Sequence, residues 1–202
     1  MRVEVSMTEP AVRLLSYAEY LAVDRGSPLK HEYIDGIVYA MGGGTVTHSL
    51  LGAAVGAELR AALEGTGCRV HSADQRIRIP GSGRAFYPDA TVSCGPIVRD
   101  EHDPDALADA TILVEVLSPS TEKHDRGLKL AEYRTLPSVQ AVLFVHCDHP
   151  VVHKWGPGPN GQWGMTVHGP GRSVPLPHDK WLPIDAIYNG IALEPQTRRP
   201  IA

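Results

Sequence analysis

Ile112-Leu113-Val114-Glu115-Val116-Leu117 is a run of aliphatic residues interrupted only by one carboxylate. It reads as an apolar strand, and strand alternation puts Glu115 on the face of Leu113 and Leu117. A lone carboxylate among leucines is costly unless a cation or hydrogen-bond donors meet it. A second acid stands upstream, in Tyr87-Pro88-Asp89-Ala90-Thr91-Val92. There a period of two puts Asp89 on the face of Tyr87 and Thr91. An acidic loop (Asp100, Glu101, Asp103, Asp105, Asp109) joins the two runs, so adjacent strands can bring both carboxylates to one sheet edge. Such a pair with access to water is a hard, oxygen-rich site suited to magnesium or manganese. A structural reading competes with it. Glu115 then pairs with an arginine such as Arg76 or Arg78, and Asp89 is an ordinary turn acid.

Beyond Glu115, Asp125, Lys129 and Tyr133 recur at i, i+4 and i+8, giving one polar helix face. Lysine is a flexible point charge that can hold a water or a phosphate oxygen. The same spacing also describes a solvated face carrying an Asp–Lys pair. Spacing alone leaves both readings open.

Outward from these runs, Ser16 and Glu19 form a capping box that opens a helix to about Arg25. Asp35-Gly36 lies between the β-prone runs Glu32-Tyr33-Ile34 and Ile37 to Met41, a hairpin signal. Thr47 is the expected cap of a second helix through about Glu64, with Leu51, Val55, Leu59 and Leu63 on one face and Gly65 and Gly67 ending it. Strands are expected at 68–72, 74–79, 86–93, 112–117, 141–146, 151–155 and 163–168. Pro119 closes the 112–117 strand, and a third helix is expected from Asp125 to Thr135. Residues from 169 onward read as an irregular closing piece with a short helix at 184–188. The order implies a mixed α/β (α+β) domain over residues 16–195 with one central sheet. Residues 1–15 are expected to form a flexible arm and 196–202 a tail.

The 202 residues are 43% hydrophobic and 21% charged, with 19 Lys and Arg against 23 Asp and Glu and a formal net charge of −4. This balance excludes a histone-like basic protein but not a nucleic-acid enzyme with a local basic groove. No stretch approaches the apolar length of a membrane helix, and the N-terminus lacks the pattern of a signal peptide. Cys68, Cys94 and Cys147 are odd in number and lack CxxC spacing, which points away from a disulfide framework and a cysteine-rich zinc site and towards a reducing cytoplasm.

Together these residues resemble a known family. Tyr87-Pro88-Asp89, Val114-Glu115-Val116-Leu117-Ser118-Pro119-Ser120-Thr121, then Asp125-Arg126-Gly127-Leu128-Lys129 and Tyr133, are similar to the motifs of the Uma-type restriction endonuclease family, in the PD-(D/E)XK nuclease superfamily. His31-Glu32-Tyr33-Ile34-Asp35-Gly36 resembles the family's Glu-bearing hairpin, His48 its helix-opening histidine, and Asp74 stands in the expected place before Arg76 and Arg78. The resemblance spans roughly residues 16–190. It implies a restriction-endonuclease-like core, a central mixed β-sheet flanked by helices, and magnesium-dependent phosphodiester hydrolysis, with manganese as an alternative ion. Carried over, Asp89 and Glu115 are the metal-binding acids, with the Val116 carbonyl joining them. Leu117 stands where the superfamily usually has lysine, and the resemblance implies that Lys129 replaces it. Glu32, His48 and Asp74 are second-tier candidates, and Arg76, Arg78 and Arg126 are candidate phosphate contacts. A solvated strand face is the alternative for Arg76 and Arg78.

The expected function is a cytoplasmic metal-dependent endonuclease acting on nucleic acid, DNA before RNA, as a homodimer. A catalytically idle nuclease fold that binds nucleic acid or a partner is the alternative, suggested by Leu117 and the acidic net charge.

Overall fold

The computed structural model describes residues 13–118 and 122–193. Pro119, the expected tail and all but the end of the expected N-terminal arm lie outside the described residues. Ser16 caps α1 (Tyr17–Gly26), and the Glu19 carboxylate accepts from the Ser16 amide at 2.8 Å, completing the capping box. The Asp35-Gly36 turn joins β1 (His31–Ile34) to β2 (Ile37–Ala40), with Ile34 opposite Ile37. Both turn residues have positive φ, 51° and 88°, as a type I′ hairpin requires. Next, α2 (Val46–Ala62) buries Leu51, Val55 and Leu59. Its cap is Thr45 and not the expected Thr47, because the Thr45 hydroxyl accepts from the His48 amide at 3.1 Å.

After β3 (Cys68–Ser72), two expected strands change. The 74–79 run narrows to β4 (Ile77–Arg78). The 86–93 run divides into β5 (Ala85–Phe86) and β6 (Ala90–Cys94), which join different sheets. Pro88 lies between them and has no N–H to offer a ladder. The Tyr87 hydroxyl donates to Asp24 at 2.8 Å.

Every residue of β7 (Ile112–Leu117) is buried. The helical segment after it starts earlier than expected, as α3 (Glu122–His124). It passes through a π-helical turn at Asp125–Lys129 and ends as α4 (Leu130–Tyr133). Then come β8 (Ala141–His146), β9 (Val152–Pro157) and β10 (Trp163–His168). The segment expected to be irregular forms a hairpin, β11 (Ser173–Leu176) and β12 (Lys180–Pro183), before α5 (Ile184–Tyr188).

The expected central mixed sheet is present, and two smaller sheets accompany it among the described residues. A six-stranded sheet runs β10-β9-β8-β7-β6-β3, a four-stranded sheet runs β2-β1-β5-β4, and β11 pairs with β12. The large sheet is mixed, because β7 and β8 are parallel while its other pairs are antiparallel. One face packs on α2, α5 and the β11–β12 hairpin through Val114, Leu143, Leu59 and Ile187. The other packs on Tyr133, Phe86 and Ile77. Each fully buried aliphatic or aromatic side chain contributes about 1.5–3 kcal/mol, so β7 is a rigid mount for Glu115.

Cys68 and Cys94 lie opposite each other across β3 and β6 and form a disulfide, with Cα atoms 4.0 Å apart. This corrects the expectation drawn from cysteine number and spacing. The strand register that brings the two together leaves no mark in local spacing.

Candidate active site

Glu115 is 3% exposed. Its partners are Lys129, whose Nζ lies 3.2 Å from Oε2, and Tyr133, whose hydroxyl donates to Oε1 at 2.6 Å. The structural reading that paired it with Arg76 or Arg78 does not hold. The Arg76 guanidinium donates to Asp103 at 2.7 Å, Asp24 at 2.7 Å and Tyr87 at 2.6 Å, cross-bracing α1 and the acidic loop. Arg78 donates to Asp100 at 2.7 Å. The expectation of an exposed phosphate-contact edge at Arg76 and Arg78 is thereby corrected: one is buried, the other nearly so, and both are committed to acids. Arg126 pairs with Glu122 at 2.7 Å and donates to His146 at 2.8 Å and His153 at 3.0 Å.

Lys129 and Asp125 are buried, so their helix face is not solvated. The ammonium lies 2.9 Å from Glu32, 3.2 Å from Glu115 and 3.3 Å from Asp125. It gathers acids from β1, β7 and the π-helical turn. Short π segments inside helices are rare and recur at functional sites. On its other side Glu32 faces His124 at 3.6 Å.

Asp89, half-buried, follows Pro88 and enters β6. Its amide donates to the Val114 carbonyl at 2.9 Å and its carboxylate accepts from the Val116 amide at 2.7 Å. His48, in the first turn of α2, places Nε2 3.4 Å from the same carboxylate oxygen. Asp74 stands apart, exposed and paired with Lys30 at 2.7 Å. Thus Asp89, Glu115, Lys129, Glu32, His48 and Val116 are brought together, and Asp74, Arg76, Arg78 and Arg126 are not.

Burial raises the Glu115 pKa well above the carboxylate range; the Lys129 charge opposes this, and Asp125 and Asp89 reinforce it. Burial alone pulls Lys129 down, but Glu115, Glu32 and Asp125 outweigh it and the net shift is upward. For Glu32 burial raises the pKa, while His124 and Lys129 together turn the net shift downward. The hydrogen bond to Asp89 raises His48, and burial raises Tyr133 and keeps it a donor.

Glu32, His48, Asp89, Glu115 and Lys129 line a cavity of about 1110 Å³ whose walls include Gly52, Ala53 and Gly56 of α2 and the Gly42-Gly43-Gly44 loop. Glu32, Glu115 and Asp125 meet the Lys129 ammonium, and Asp89, a fourth carboxylate of the cavity wall, faces His48. Three buried carboxylates against one ammonium carry more negative charge than it can offset, which is unfavourable without a proton or a further cation. Oxygen donors of this kind suit a hard divalent ion. Sequence reasoning missed His124 and the burial of Asp125 and Tyr133. The i, i+4, i+8 spacing was the only signal, and solvated faces share it.

No helix among the described residues is long and apolar enough to cross a membrane. The chain is 32% identical over 179 residues to the uncharacterized protein slr1290 of Synechocystis sp. (strain ATCC 27184 / PCC 6803 / Kazusa), covering 88% of this chain and 93% of that one. It is 27% identical over 139 residues to sll1609 of the same organism, covering 69% and 78%. Its fold is similar to the crystal structure of a "putative nuclease belonging to DUF820" from Anabaena variabilis ATCC 29413. The TM-score is 0.66 and the identity 18%, over 80% of this chain and 91% of that one. The mixed sheet and its helices are accordingly those of the restriction-endonuclease-like fold. The family model described as "Putative restriction endonuclease" matches residues 17–184, and the chain belongs to that family, Uma2.

Proposed function

We propose that the chain is a divalent-metal-dependent endonuclease that hydrolyses phosphodiester bonds of nucleic acid, DNA before RNA. The single observation that carries this reading is the set of three carboxylates around one buried lysine, with Asp89 as a fourth carboxylate on the wall of the same wide cavity. Family membership supports the nuclease class.

Asp89, Glu115 and the Val116 carbonyl are the donors that would hold magnesium or manganese. Such an ion, when bound there, would polarise a scissile phosphate and lower the pKa of a bound water. Tyr133 fixes one oxygen of Glu115, so the carboxylate keeps its orientation. Glu32 and Asp125 hold the Lys129 ammonium in place, where it can orient the attacking water or neutralise charge that develops on the phosphate. The amide of Val116 anchors Asp89. Glycine and alanine on the cavity wall leave room for a sugar-phosphate chain.

A second reading is a nuclease fold that binds without cutting. The observation favouring it is that all the carboxylates around Lys129 already touch its ammonium. Cleavage of supercoiled plasmid and of single-stranded DNA, with Mg²⁺, Mn²⁺ or EDTA, separates the two. Wild type is expected to cut only with metal, and Asp89→Asn to be inactive yet folded. Lys129→Ala is expected to lose cutting too. Equal cutting by wild type and Asp89→Asn overturns the assignment. Metal-independent binding without cleavage of any nucleic acid supports the second reading.

A further inference from the structure

Three donors that the active site does not use meet at the Cys68 end of β3, an edge of the six-stranded sheet. A sulfur of Cys68, a sulfur of Cys94 and a ring nitrogen of His178 lie within 4.8 Å of one another. They come from separate elements: the start of β3, the end of β6 and the tip of the β11–β12 hairpin. His178 and Asp179 both adopt positive φ, 61° and 53°, a region in which Asn, Asp and His are the enriched non-glycine residues. That backbone sets an exposed imidazole against two half-buried sulfurs.

We propose that Cys68, Cys94 and His178 form a thiol-dependent zinc site, loaded when the disulfide between the two cysteines is opened. Two thiolates and one imidazole, with water in the fourth position, are a tetrahedral zinc donor set. The two sulfurs sit on paired strands and stay adjacent after the bond breaks. His178 is exposed on a hairpin tip and can close the remaining distance. Two equivalents of a small-molecule thiol supply the two electrons that cleave the S–S bond, yielding two cysteine thiols and one disulfide of the reductant. Zinc binding then releases both thiol protons to solvent. Reoxidation returns the two electrons to a disulfide of the same class and expels the ion. In one state β3 and β6 are joined covalently. In the other the hairpin is tied to them as well.

A second cluster, His146, Asp148 and His149, also gathers three donors. It is the weaker candidate, because Arg126 donates to Nε2 of His146 at 2.8 Å. That places the proton of a neutral His146 on Nδ1, the atom that faces Asp148. No such proton blocks the cysteine pair.

The test is a Co²⁺ titration of the full chain, once reduced with a phosphine and once with its disulfide intact, both carrying Cys147→Ser. The reduced protein is expected to develop thiolate-to-cobalt charge-transfer absorption that saturates at one equivalent and disappears on adding Zn²⁺. The disulfide form is expected to show none. The carboxylates of the active site contribute no such band, so this result stands or falls apart from the nuclease reading. Loss of a ligand's supporting hydrogen bond alone typically weakens metal binding about 10–100-fold. His178→Ala is therefore expected to weaken binding by about tenfold or more, and Cys94→Ser to lose the band. His178 is exposed, so its variant tests the site even if Cys94→Ser does not fold. Absence of the band in the reduced protein, or equal titration of His178→Ala and its parent, overturns the proposal.

Discussion

Lys129 is the residue on which the active site balances. Its ammonium is the cation shared by Glu32, Glu115 and Asp125, and removing one partner of a buried ion pair typically costs about 3–5 kcal/mol. Lys129→Met in EDTA is therefore expected to lower unfolding free energy by about that amount in urea titrations, and added Mg²⁺ to recover part of it. An unchanged urea midpoint would mean that the carboxylates simply take up protons. Arg76 gives a matched control bonded to none of those acids. It is 5% exposed and bonded to Asp24, Asp103 and Tyr87. Arg76→Met is expected to cost about 3–5 kcal/mol with cleavage per folded molecule unchanged. Should it instead keep its stability and lose nucleic-acid affinity, the exposed-edge reading would return.

The β1–β2 hairpin carries Glu32 to Lys129, and its turn is the element most open to a single change. Gly36 has φ 88°, and a Cβ there would lie 2.7 Å from the Cβ of Leu14. Left-handed backbone costs an L-residue about 1–2 kcal/mol, so Gly36→Ala is expected to lose at least that, read from the urea midpoint. This turn was legible from sequence because Asp-Gly has a local signature. So were the capping box at Ser16 and the buried strand around Glu115. The β11–β12 hairpin was not, because His178-Asp179 turns without a glycine to mark it. The strand through Pro88 misled for the opposite reason, since two β-prone runs flank a residue that cannot join the ladder. At the site, Asp89, Glu115 and Lys129 were recognisable by motif. The burial of Asp125 depends on which face of the helix meets the sheet, and no local spacing encodes that.

At the scale of the whole molecule, a divalent ion that binds only the folded chain adds RT ln(1 + [L]/Kd) to its stability. At ten times Kd this is roughly 1.4 kcal/mol, a rise of about 3–6 °C in Tm for a domain of this size. Mg²⁺ is expected to produce such a rise by calorimetry in wild type and none in Asp89→Asn. Equal shifts in both proteins would place the ion elsewhere. The acids and their lysine come from β1, the approach to β6, β7 and the π-helical turn, and these segments lie far apart along the chain. A nascent polypeptide that has emerged only as far as Leu117 carries Glu32, Asp89 and Glu115 without Lys129. The like charges can be packed together only after the later helix docks. If the site cuts as proposed, assembly is thus an all-or-none checkpoint: the cluster exists only in the finished fold, and a chain still on the ribosome or partly unfolded would lack the means to cut the nucleic acid around it.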